Sequence, residues 1–121
     1  MEVMVVSPEC RQRDSLVSML ESIIHPSVIK TVEVCSDVIE IANQDDPSIV
    51  FVDYREPELV ANKEISSLIM NSAIYFVVLL TSYKGPDSHF THFSTCELVY
   101  DEVSIEVLTN LLKNIQLKSI S

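Results

Sequence analysis

The stretch Ser48-Ile49-Val50-Phe51-Val52-Asp53 decides the fold. Its four central residues are apolar, and all are β-branched or aromatic. The run is too short for an independent helix and shows no polar alternation. That pattern suits a strand buried on both faces, as in a parallel sheet covered by helices. Asp53 follows the run directly, where such a sheet opens to water. A charged group there has two readings. One is a working carboxylate at the end of a buried strand, and the other is a solvated residue starting a loop.

Outward from this stretch, the same alternation recurs along the chain. Met1 to Val6, Val28 to Val34, Ile74 to Leu80 and Cys96 to Tyr100 read as further strands. Between them lie segments with helical spacing. In Glu9 to Ile24, the residues Leu16, Met19, Leu20, Ile23 and Ile24 form one stripe, with Arg11, Arg13, Asp14 and Glu21 largely off it. A short helix runs through Val38, Ile41 and Ala42, with Ser36 or Asp37 as its expected cap. Leu59 to Met70 carries Ile65, Leu68 and Ile69. The last helix is expected to be capped by Ser104 and to bury Leu108, Leu111, Leu112 and Ile115. Tyr83 to Ser94 holds the only glycine, Gly85, followed by Pro86, and leaves room for one short helix. Five strand-helix units in alternation predict a parallel sheet with helices on both faces.

Length and composition agree. At 121 residues the chain fits one domain, 1–121, and 47% hydrophobic residues are enough for a core. Its 18 acidic and 8 basic side chains give a net charge of −10. Such a surface repels phosphate backbones and anionic lipid, so neither nucleic acid nor membrane is an expected partner. The longest apolar run, Ala73 to Leu80, is far short of the roughly 20 residues of a membrane helix. No signal peptide is legible at Met1-Glu2. Cys10, Cys35 and Cys96 are odd in number, widely spaced and without a C-x-x-C pattern. They read as small buried thiols in a reducing, cytoplasmic setting.

In a sheet of this kind the working site lies at the carboxyl ends of the strands. Those ends are Ser7-Pro8, Cys35-Ser36, Asp53, Thr81-Ser82 and Tyr100-Asp101. Pro57 follows Asp53 by four residues, and Thr81-Ser82 closes the neighbouring strand. Asp53-Tyr54-Arg55-Glu56-Pro57 and Leu79-Leu80-Thr81-Ser82 resemble the two motifs of response-regulator receiver domains, the phospho-accepting domains of two-component signalling. Strand-helix order and length extend the likeness over the whole chain. The resemblance implies a flavodoxin-like three-layer sandwich with a five-stranded parallel sheet of order 2-1-3-4-5. It implies a phosphorelay role, with Asp53 accepting a phosphoryl group from a histidine kinase and Thr81 and Ser82 lining the phosphate pocket. It also implies Mg²⁺ held by Asp53 and the Arg55 carbonyl, with Glu9 as the remaining nearby acid. No other cofactor and no enzymatic activity follow from it. The partner would be a kinase or another signalling protein, and the family also forms homodimers through the last strand and helix. The domain could stand alone or form the front of a longer regulator.

The departures from the family pattern bear on the same chemistry. Where the family places an acidic pair after the first strand, this chain has Ser7-Pro8. Proline offers no side-chain oxygen, and serine is a poor Mg²⁺ ligand. The family's lysine after the fifth strand is replaced by Tyr100 or Asp101, and its aromatic switch residue by Glu97 or Leu98. Phosphoryl transfer without a cation has little to stabilise its charge. Two mechanisms therefore compete: a weakened phospho-acceptor, and a pseudo-receiver that works without phosphorylation. In the second, Arg55 could fold back on Asp53 through a forked hydrogen bond, or equally point to solvent.

Other chemistries fare worse. Ser7-Pro8-Glu9-Cys10 has no glycine, which excludes a dinucleotide fingerprint and a P-loop. Cys10 near a helix start suggests a flavodoxin-like enzyme with a reactive thiol. A phosphatase loop, however, needs an arginine where Leu16 stands. His89 and His92 lack a third metal ligand and sit among Phe90 and Phe93, which suits packing. His25 before Pro26 at a helix end needs no function.

Overall fold

The computed structural model describes residues 2–7, 11–25, 28–42, 47–53, 62–81, 95–100 and 103–120, with the backbone alone at Asn62, Thr81, Tyr100 and 116–120. Five strands form one sheet: β1 (Val3–Val6), β2 (Ile29–Val32), β3 (Ser48–Asp53), β4 (Ile74–Thr81) and β5 (Cys96–Tyr100). The helices among the described residues are α1 (Arg11–Glu21), α2 (Cys35–Ile41), α3 (Asn62–Ile69) and α4 (Ile105–Ile120). Every strand pair is parallel and the order is β2-β1-β3-β4-β5. This is the flavodoxin-like arrangement expected from the sequence.

Pleating divides the strand residues between two cores. Met4, Val6, Val50, Val52, Val77 and Leu79 face one side, against Val38 of α2 and Ile65 and Leu68 of α3. Val3, Val5, Ile49, Phe51, Val78 and Leu80 face the other, against Leu16 and Leu20 of α1 and the α4 stripe. Val50, Phe51 and Val52 are fully buried. A strand covered on both faces has no solvent side, so its residues need not alternate. The expected α4 stripe, Leu108, Leu111, Leu112 and Ile115, is buried as a set.

Several boundaries differ from the sequence expectation. β2 stops at Val32, and α1 begins at Arg11 among the described residues. The expected cap of α2 is corrected. The cap position is Val34, extended and without a side-chain bond, so Ser36 and Asp37 fall inside the first turn. Cys35 starts this helix because its burial in the core that Val38 shares outweighs the cap that Ser36 would supply. Ser104 does cap α4, its Oγ accepting from the Val107 amide at 3.2 Å. The segment Tyr83 to Ser94, where a short helix was expected, lies outside the described residues. Among the described residues, no helix is long and apolar enough to cross a membrane.

Candidate functional site

The carboxyl edge of the sheet carries the candidate site. β1 and β3 are hydrogen-bonded neighbours with Val6 opposite Val52. One residue further on each strand, Ser7 meets Asp53. The Ser7 hydroxyl donates to Asp53 Oδ2 at 3.3 Å. Ser7 is 1% exposed, and its amide donates to the Val32 carbonyl at 3.0 Å. That bond ties the end of β1 to β2 and fixes the backbone from which the hydroxyl reaches Asp53. Asp53 is half-buried and closes the otherwise buried β3. At the carboxyl edge of the sheet its carboxylate accepts from a neutral donor, Ser7.

On the other side of Asp53 lies β4. Leu80 is in register with Asp53, and Thr81 follows as the last residue of the strand, in register with Tyr100 of β5. The backbones of Asp53, Thr81 and Tyr100 therefore end at one edge, on three adjacent strands. Only the backbone is described at Thr81 and Tyr100. Glu9, Cys10, Arg55, Pro57, Ser82, His89, His92 and Asp101 lie outside the described residues.

Of the expected Mg²⁺ ligands, Asp53 alone is among the described residues. Mg²⁺ favours oxygen ligands, carboxylates above all, and here Asp53 faces a serine hydroxyl. Among the described residues, no three His, Cys, Asp or Glu side chains gather into a group that could hold a metal.

The thiols are built for packing. Cys35 and Cys96 are free and buried. Burial pushes the Cys35 thiol up to about 12, with the charge of Glu64 adding to the effect. Burial likewise raises Cys96 to about 12, with Glu97 as the lesser cause. A thiol held protonated is a poor nucleophile.

Sequence reasoning treated Ser7 only as a missing metal ligand and overlooked its bond to Asp53. The strand ends were legible, but which residues meet across them depends on register. Ser7 is the first residue past β1, Asp53 ends β3, and the two strands are neighbours in a 2-1-3-4-5 sheet. No family model, no characterised protein and no solved structure matches the chain.

Proposed function

We propose that this chain is a receiver-like interaction domain that works in signalling without accepting a phosphoryl group. The observation that carries this reading is the Ser7–Asp53 hydrogen bond at the carboxyl edge, where a phospho-accepting site would present carboxylates and a metal. Phosphoryl transfer to a carboxylate brings anionic oxygens together and depends on cations to offset their charge. At this edge Ser7 supplies a neutral dipole, and Tyr100-Asp101 supplies no lysine after β5. In this reading Asp53 is a crevice carboxylate that stabilises one arrangement of the β1 and β3 ends. The domain then presents its surface to a signalling partner in that state.

The test is direct. The protein is incubated with Mg²⁺ and acetyl phosphate, and its intact mass is measured. No adduct is expected. An adduct on the wild type that is missing from Asp53→Asn would overturn the reading and make Asp53 a phospho-acceptor, with a histidine kinase as the natural donor. A beryllofluoride titration followed by amide spectra is expected to leave Asp53 and its neighbours unshifted.

A further inference from the structure

β2 is an edge strand. Among the described residues it pairs only with β1. Because the Val32 carbonyl accepts from Ser7, Val32 turns its peptide groups toward β1. Alternation along a parallel ladder then turns the peptide groups of Ile29 and Thr31 outward. Thr31 also lines a groove of about 390 Å³ between this edge and α1, together with Arg13, Asp14, Val17, Ser18 and Glu21.

The two faces of this edge differ in chemistry. On the α1 side, Asp14 and Glu21 are seven residues apart on one helix, hence on one stripe and about 10 Å apart along the axis. Glu33, exposed, follows the strand. Arg13 is the cation lining the groove. On the α2 side, Val32 is followed in the same alternation by Val34, 48% exposed. The one lysine of β2, Lys30, is engaged by Glu2 at 3.1 Å.

We propose that the outer edge of β2 is a docking strand for an extended basic segment of a partner protein. The added strand would pair with the outward peptide groups of Ile29 and Thr31. Its basic residues, at alternate positions, would lie on the α1 side, within side-chain reach of Asp14 and Glu21. Its apolar residues would lie toward Val34. This mode of recognition takes affinity from the main chain and specificity from alternate side chains. Charge complementarity selects the occupant: among the described residues the groove is lined by two carboxylates and one guanidinium, on a chain of net charge −10. The inference is independent of whether Asp53 accepts phosphate.

The probe is a capped peptide of alternating lysine and valine, titrated into the full chain and followed by amide spectra and calorimetry. Saturable binding is expected, with shifts concentrated in 29–34 and along α1. Thr31→Pro removes an outward donor without touching the β1 ladder, a substitution edge strands tolerate. It is expected to abolish binding while the circular dichroism spectrum is kept. Thr31→Val, which retains the amide, is expected to bind like wild type. Asp14→Lys with Glu21→Lys, on the exposed helix surface, is expected to weaken binding about tenfold or more. The proposal is overturned if the peptide does not bind, or if Thr31→Pro binds at full strength. Equal binding of an aspartate-valine peptide would also overturn it. So would self-association of the chain that Thr31→Pro abolishes without peptide binding, because the occupant would then be a second copy.

Discussion

Two serines of nearly equal burial, Ser7 and Ser48, sit in opposite hydrogen-bonding circumstances. The Ser7 hydroxyl reaches Asp53. The Ser48 hydroxyl, at the amino end of β3 and 0% exposed, has no partner among the described residues. A buried hydroxyl without a hydrogen bond costs about 1–3 kcal/mol relative to water. Ser48→Ala is therefore expected to raise the unfolding free energy by about 1 kcal/mol after the small void is counted, read as a higher urea midpoint. An unchanged or lower midpoint would mean that the hydroxyl is satisfied in solution. The thiols make a second prediction at this scale. Folded Cys35 and Cys96 ionise near 12 against an ordinary value of 9.0. The folded values lie above the unfolded ones, so the unfolded chain releases its thiol protons first as pH rises. Stability is then complete below about 9 and falls above it, by up to about 1.4 kcal/mol per pH unit for each thiol. Denaturant midpoints between about pH 8 and 10 should show this fall, and Cys35→Ala with Cys96→Ala should flatten it. An equal slope in the double variant would remove the thiols as the cause.

At the level of elements, β4 and α4 show how the sheet recruits its last helix. Register between β3 and β4 shifts after Ser48, which pairs with Ile74 while Ile49 pairs with Phe76. Tyr75 is the extra residue of this bulge. As a result Tyr75 and Phe76 both pack on the α1–α4 side, while Ile74 and Val77 pack on the other. Two successive rings on one face are a consequence of a bulge. The Tyr75 hydroxyl donates to the Ile115 carbonyl at 3.4 Å, joining the bulge to α4. At the other end, the Ser104 cap satisfies the Val107 amide. Ser104→Ala is expected to cost about 1 kcal/mol of stability, read from urea midpoints. A cost below about 0.3 kcal/mol would show that water replaces the cap without loss.

For the molecule as a whole, a net charge of −10 on 121 residues sets up self-repulsion that the fold must overcome. Salt screens exposed charges over about 10 Å at 0.1 M. The thermal midpoint is therefore expected to rise when sodium chloride is added between about 0.02 and 0.3 M, with the gain levelling off as the Debye length shortens. A midpoint that falls with salt would show that attractive pairs such as Glu2–Lys30 outweigh the repulsion. Most of this architecture was legible beforehand. Val50, Phe51 and Val52 announced a strand buried on both faces, and the Leu108–Ile115 spacing announced the buried face of α4. Ser104 was legible as a cap because a cap depends on residues three apart. α2 was misread at its start because Ser36 has the right chemistry locally, while the packing of Cys35 against the sheet, a non-local event, sets the boundary.

What sequence alone determined was the strands and helices among the described residues and their parallel arrangement, since periodicity and strand composition are local properties of the chain; the strand order came from the family resemblance. It also placed a carboxylate at the end of the central strand. Tertiary structure decided which group that carboxylate meets. Ser7 and Asp53 are 46 residues apart and touch because β1 and β3 pair with Val6 opposite Val52. The β4 bulge and the buried Ser48 hydroxyl arise in the same way. Each depends on strand register, and register is set by how two faces of helices fit one sheet at once, an outcome of packing that no local pattern encodes.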